Sequence, residues 1–255
     1  MKRISILGLG WYGRPLAEYL KSKGFSVCGS KSTEEGARQI TEMGIPAYKL
    51  DFNSGIEGSE ELFEADVAVV NFPPSVGDYS NAMQEIYMHL KKNGIRNTIF
   101  ISSTSVYANL NREVTEVDDR VGEATRRNGQ LLREVEDQVQ EIIPSTTILR
   151  FGGLYGSNRH PVRYFAGKEN VPNGASPVNM IHLDACIKIT YEVIRQQMFG
   201  EVFNAVEDAH PNKQEFYTQA AKKMDLPLPH FLDEKGDYKI VSNEKLKKTL
   251  GIENI

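Results

Sequence analysis

Gly8, Gly10 and Gly13 stand in ILGLGWYGRP, spaced Gly-x-Gly-x-x-Gly, directly after the apolar run RISIL (3–7) and before an amphipathic stretch. The chemistry that asks for this spacing is phosphate binding. Gly8 permits a tight turn, Gly10 lets backbone approach a pyrophosphate, and Gly13 lets helix and strand pack closely. The helix that follows presents unpaired N–H groups and a partial positive charge to the anion. Trp11 and Tyr12 are then expected to lie over the bound phosphates. A glycine turn kept for packing alone is the competing reading, and the position at the opening of a βαβ unit weighs against it.

The next apolar run, FSVCG (25–29), ends in SKST rather than in an acid. A carboxylate about 20 residues after the glycines would hold the ribose 2′-hydroxyl of NAD, and none stands at Gly29, Ser30 or Lys31. Glu34 and Glu35 follow, but Ser32-x-x-Glu35 has the form of a capping box and serves a helix. Lys31, Ser32 and Thr33 are therefore candidates for the 2′-phosphate of NADP, with Arg38 a second cation further on. A solvated loop lysine is the other reading of Lys31. NADP is the favoured cofactor and NAD the alternative.

Two further groups of residues have chemical potential. Tyr107 and Tyr155 fall after strand-like runs, where doubly wound sheets bind ligands, and either packing or proton transfer fits them. Arg150, Arg159, His160, Arg163 and Lys168 crowd a Gly-rich segment, which suits an anionic substrate. Ordinary surface charge is the alternative, because Glu169 and Asp184 offset it. His182 and Asp184 in NMIHLDA read as a hydrogen-bonded helix start. The five histidines lack metal-ligand spacing and Cys-x-x-Cys is absent, so no metal is expected. Cys28 and Cys186 read as buried free thiols, which fits a reducing compartment.

The elements that must position these residues alternate. Strands are expected at 3–7, 25–29, 47–51, 66–72, 97–102, 146–151 and 201–205. Helices are expected at 15–24, after Ser32, around 80–92 and 126–142, and at 182–197 and 213–224. Such alternation means right-handed crossovers and a Rossmann-type α/β fold, a doubly wound parallel sheet with a small C-terminal substrate lobe. The expected division is an NAD(P)-binding core over 1–151 and a mixed region over 152–255 that completes the core and forms the lobe. With 255 residues, 40% hydrophobic and 25% charged, the chain has an ordinary globular composition. A net charge of −4 gives no footprint for nucleic acid or a membrane surface. The apolar run after Lys2 and Arg3 is short for a secretory signal, so a cytoplasmic protein is expected.

Several motifs in order carry a family resemblance: GLGWYG, Asp51 after the third strand, NFPPS after the fourth, ISSTSVY after the fifth, then LRFGGLYGSNR and NMIHLDA. The set, spanning roughly residues 3 to 250, resembles the extended short-chain dehydrogenase/reductases, and more narrowly their atypical members of the nucleoside-diphosphate-sugar epimerase type. The resemblance implies that Asp51 meets the adenine amino group, that Asn71, Phe72, Pro73 and Pro74 form a floor near ribose and nicotinamide, and that Phe151 to Leu154, including Gly152, flank the nicotinamide. It matches Ser103 to the serine that polarises a substrate carbonyl, with Thr104 as its fallback neighbour; a turn-capping serine is the alternative. Tyr155, Arg159 and Arg163 are the substrate-side candidates. The family also carries Tyr-x-x-x-Lys on the next helix, and here NGQLLREVE aligns to place Asn128 and Leu132 there. Neither residue exchanges a proton near neutral pH. Arg133 is one position off, about 100° round the helix, and Arg126 and Arg127 stay protonated.

Two functions follow. One is an NADP-dependent oxidoreductase or epimerase-like enzyme acting on a small anionic carbonyl or sugar-type substrate, with Ser103 orienting the carbonyl and the proton coming from water, Tyr107 or Tyr155. The other is an NADP(H)-binding sensor without turnover. Either a monomer or a homodimer is expected.

Overall fold

A computed structural model describes residues 2–51, 60–75, 77–124, 127–156 and 158–255; Arg126 lies outside the described residues. The first half alternates strand and helix: β1 (Arg3–Leu7), α1 (Gly13–Ser22), β2 (Ser26–Lys31), α2 (Glu34–Glu42), β3 (Ala47–Lys49), β4 (Val67–Val70), α3 (Tyr79–Lys92) and β5 (Asn97–Ser103). Then come β6 (Glu113–Val114), α4 (Arg127–Ile142), β7 (Thr146–Phe151), β8 (Gly153–Tyr155), α5 (Val162–Phe165), β9 (Met180–His182), α6 (Leu183–Gln196), β10 (Val202–Ala205), α7 (Lys213–Lys223), β11 (Ile240–Val241) and α8 (Glu244–Leu250). The fold is α/β and Rossmann-like, with a seven-stranded parallel central sheet in the order β10-β7-β5-β4-β1-β2-β3.

Register puts Ile4 beside Val27 and Val67, and Val69 beside Ile99, so β-branched residues stack across the sheet. All four residues of β4 are buried, as expected for a parallel strand covered on both faces. Helix α1 buries Leu16, Ala17 and Leu20, one stripe at helical spacing. These contacts hold the carboxyl ends of β1, β2 and β4 in fixed positions, where ligands of doubly wound sheets bind.

The chain divides into two compact units. The first comprises Met1–Ser103, Gln130–Arg150 and Ile187–Val202; the second comprises Thr104–Gly129, Phe151–Cys186 and Phe203–Ile255. The second contains two small parallel pairings, β11 with β6 and β8 with β9. Its own core centres on Val162, Tyr217 and Ala221, packed by Phe165, Phe216 and Phe231. Among the described residues, no helix is long and apolar enough to cross a membrane, and no group of three or more His, Cys, Asp or Glu could hold a metal.

Candidate functional site

The turn between β1 and α1 has the geometry its three glycines require. Gly8 has φ +106°, and a Cβ there would stand 2.5 Å from the Asn71 carbonyl oxygen. A Cβ on Gly13 would stand 2.1 Å from the Gly8 carbonyl oxygen, so helix and turn touch backbone to backbone. Gly10 is the opposite case, for a Cβ there meets nothing within 4 Å. Gly10 therefore faces open space, the place a pyrophosphate needs.

Two side chains clamp this turn. The Gly8 N–H donates to the Ser30 hydroxyl at 3.0 Å, and the Asn71 side-chain amide donates to the Gly8 carbonyl at 3.2 Å. Ser30 is buried and stands outside the set read from the sequence, although a hydroxyl closing the apolar run of β2 was the available signal. Helix α1 begins with no side-chain cap at Tyr12 and no acid in its first turn. Arg14 gives its N–H to the Gly10 carbonyl at 3.1 Å and Pro15 has none, so what the start of the helix offers an anion is chiefly its dipole. Trp11 is half-buried, while Tyr12 corrects an expectation: its ring is buried and its hydroxyl bonds Thr190 of α6 at 2.6 Å. Tyr12 braces the helix from below and does not cover a phosphate.

A cavity of about 420 Å³ opens at this turn, bounded by Gly8, Leu9 and Gly10 on one side and by Ser30, Lys31 and Ser32 on another. Lys31 lies along the first turn of α2, its ammonium 3.4 Å from the Leu9 carbonyl oxygen, and a Cβ on Gly36 would meet its Cε at 3.0 Å. Thr33, not Ser32, caps α2, accepting from the Gly36 N–H at 3.1 Å. With Gly36 as the third helical residue no side chain closes a capping box, and Ser32, not being the cap, is left on the cavity wall. Glu35 is taken up by Arg38 and by Gln39 at 2.9 Å. Arg38, paired with Glu35 and 3.9 Å from Glu42, is committed to its own helix face.

Asp51, Asn71, Phe72 and Pro73 complete the wall, with Gly77 beyond them. Tyr79, at the start of α3, donates to the Phe72 carbonyl at 3.1 Å and pins this segment; Pro74 follows it, half-buried. Desolvation in the core pushes the Tyr79 phenol well above its ordinary range. Tyr79 is a structural donor.

Ser103 closes β5 and is half-buried, while its neighbour Ser102 points the other way and donates to Glu136 at 2.5 Å. Strand alternation separates the two serines, one to the sheet's end and one to the core. Glu136 also receives Arg150, with contacts of 3.1 Å from Nε to both of its oxygens and 2.6 Å from an outer nitrogen to Oε2; both side chains are at most 3% exposed. Arg150 is therefore a core residue of β7 and not a member of the basic loop expected from the sequence. A charge within a strand buried along its whole length has to be paired.

In the second unit, Thr104 is buried and Tyr107 is fully buried, its hydroxyl donating to Asn204 at 2.7 Å. Asn204 in turn donates to the Ser242 carbonyl at 3.1 Å. The Tyr107 hydroxyl is held by this chain of bonds, which corrects its reading as a proton source. Gly152 is buried, and a Cβ there would press on the Asn179 carbonyl oxygen at 2.7 Å; Phe151 beside it is buried too. Arg159 and Arg163 are both exposed. Tyr155 donates to Glu207 at 2.7 Å, and burial with that carboxylate drives its phenol far above the ordinary range. It is a poor acid at neutral pH. On α4, Asn128 is exposed and Leu132 is 4% exposed.

Residues 3–123 match the family model for the NAD binding domain of 6-phosphogluconate dehydrogenase. The chain is 34% identical over 266 residues to Protein YeeZ of Escherichia coli (strain K12), covering 99% of this chain and 96% of that protein. The chain belongs to the YeeZ family. Solved structures share this family member's fold at lower identity. A functionally unknown conserved protein from Silicibacter pomeroyi DSS superposes with a TM-score of 0.81 at 21% identity, over 100% of this chain and 94% of that one. A UDP-N-acetylglucosamine 4-epimerase from Bacillus cereus gives 0.78 at 14%, over 100% and 94%. MoeE5 in complex with UDP-glucose and NAD gives 0.80 at 14%, over 99% and 93%.

Proposed function

We propose that this YeeZ-family protein is an NADP(H)-dependent oxidoreductase of the epimerase-like kind, acting on a small anionic carbonyl or sugar-type substrate. The observation that carries the cofactor reading is the end of β2. There Lys31 and Ser32 line the cavity where an NAD site has a carboxylate. The open side of Gly10 and the uncapped start of α1 fit the pyrophosphate, and Asp51 fits an adenine amino group. That MoeE5, a fold relative, binds NAD supports a dinucleotide in this place.

A nicotinamide dinucleotide held there supplies hydride exchange with a carbonyl carbon. Ser103, at the carboxyl end of β5, donates its O–H to the carbonyl oxygen and stabilises the charge that develops on it. Asn128 and Leu132 occupy the places of the resembled family's tyrosine and lysine, so α4 offers no acid or base. Tyr107 and Tyr155 give their hydroxyls to Asn204 and Glu207. Water is then the proton donor, and turnover is slow, since a positioned acid or base contributes about 10²–10⁴-fold.

The same engaged hydroxyls favour a second reading, an NADP(H)-binding sensor without turnover. Replacing Ser103 with alanine distinguishes the two. With a panel of anionic carbonyl compounds and NADPH, Ser103→Ala is expected to lower turnover about tenfold or more while the NADPH affinity is unchanged. An unsubstituted protein that binds NADPH yet oxidises none of it with any carbonyl would leave the sensor standing.

A further inference from the structure

The second unit has a pocket of its own that the dinucleotide reading does not use. It has a volume of about 510 Å³ and is walled by Tyr155, His160, His182 and Phe216, with Gln219 and Lys223 on the side of α7. Four of these residues carry rings. His160 and Phe216 lie nearly parallel, 5.5 Å apart at 21°. Tyr155 stands edge-on to His160, His182 and Phe216, with centroids 5.3, 5.1 and 5.6 Å away. Because the Tyr155 hydroxyl is fastened to Glu207, which also accepts the His182 backbone N–H at 3.1 Å, the wall is rigid.

Besides the Tyr155 hydroxyl, its polar side chains are the two histidines, Lys223 and Gln219, whose amide N–H donates to Glu215 at 3.2 Å. The Nδ1 of His160 accepts from the Val162 N–H at 3.1 Å, and the Nδ1 of His182 accepts from the Asp184 N–H at 3.2 Å. Each neutral ring then carries its proton on Nε2 and presents a donor. Burial first, then neighbouring positive charge, Arg163 foremost, lowers the His160 pKa and favours its neutral form. Among the described residues lining the pocket none is a carboxylate, and Lys223 is exposed at its rim. Rings for walls, imidazole donors, no carboxylate in the lining and a cation at the mouth favour one class of molecule.

We infer that this pocket is a binding site for a small planar organic anion, its ring held against Phe216 and Tyr155 and its carboxylate or phosphate met by Lys223 and the histidine Nε2–H groups. The inference does not depend on which cofactor the first unit holds. Such a site would admit an aromatic acid or a heteroaromatic phosphate in preference to a neutral ring of the same shape, whose hydrogen bonds to Lys223 and the imidazoles lack the charge that strengthens them.

The test uses the full-length protein and three probes: 2-naphthoate, its neutral isostere 2-naphthamide, and the non-planar anion cyclohexanecarboxylate. Binding is followed by ligand-observed NMR and calorimetry. The expected result is saturable binding of 2-naphthoate with both other probes at least about tenfold weaker. Lys223→Met and Phe216→Leu, each checked for an unchanged melting temperature, should each weaken 2-naphthoate about tenfold. Lys223 is exposed, so its replacement leaves the fold intact even where Phe216→Leu does not. Equal binding of the amide, unaltered binding in Lys223→Met, or no saturable binding of 2-naphthoate would each overturn the assignment. NADPH titrated into the same samples reports on the first unit separately, so failure of one reading leaves the other measurable.

Discussion

Gly10 and Gly13 sit three residues apart in one turn and are constrained for opposite reasons. At Gly13 a methyl group would collide with the backbone of Gly8, so Gly13→Ala is expected to lower the melting temperature by several degrees and to lose the cradle with it. At Gly10 a methyl group has room in the free protein. Gly10→Ala should therefore keep its melting temperature and lose about tenfold or more in NADPH affinity, as read by calorimetry. A Gly10→Ala protein that binds normally would remove the pyrophosphate from this turn. Tyr155→Phe carries the converse expectation: with its hydroxyl held by Glu207 and its pKa driven up, its loss should leave turnover unchanged at neutral pH. The close backbone approaches at Gly8 and Gly13 were legible because each follows from the absence of a Cβ in a fixed spacing. Tyr12 was not, since two adjacent aromatics after a glycine look alike until packing turns one of them toward Thr190. Ser30 was hidden because its partner, the Gly8 N–H, lies 22 residues away.

At the scale of elements, the long strands and helices were readable from their patterns, and their ends lie within a few residues of the expected places. Strands β6 and β11, with two residues each, and β8 and β9, with three, are too short to carry any period. The start of α2 shows how finely an end is set. Ser32 and Thr33 both suit a cap, and the hydroxyl that reaches Gly36 decides it. Thr33→Ala should cost about 1 kcal/mol in chemical denaturation, and Ser32→Ala close to nothing. The pair of β7 and α4 is the larger case. Arg150 looked like part of a basic loop because LRFGGLYG reads as one run, yet it lies within a strand buried along its whole length and requires Glu136. Arg150→Met should destabilise the protein by about 3–5 kcal/mol, since it strands a buried carboxylate. Adding Glu136→Leu should restore much of that loss, and a double substitution no better than the single one would show that the pair does more than neutralise itself.

For the whole molecule, acid stability and ligand binding report on different units. In the second unit Asp118 accepts from Arg112 at 2.7 Å and from the Thr115 N–H at 2.8 Å, and Arg112 first, with those bonds, holds its pKa down to about 2. A carboxyl depressed in the folded state contributes stability above its unfolded pKa, near 4, and loses it as pH falls toward 2. Asp118→Asn should flatten the melting temperature's fall between those pH values relative to the unsubstituted protein. The first unit answers to its cofactor. Ligand at a hundred times its dissociation constant adds about 2.7 kcal/mol, a rise of about 5–10 °C for a chain of this size.

The most direct test of the dinucleotide site is a calorimetric titration of the protein with NADPH and with NADH, repeated on Lys31→Glu. NADPH is expected to bind more tightly than NADH, and the order to reverse when the cation at the end of β2 becomes a carboxylate. Equal affinities unmoved by Lys31→Glu would contradict the NADP reading, and no binding of either dinucleotide would contradict the cradle's assignment altogether.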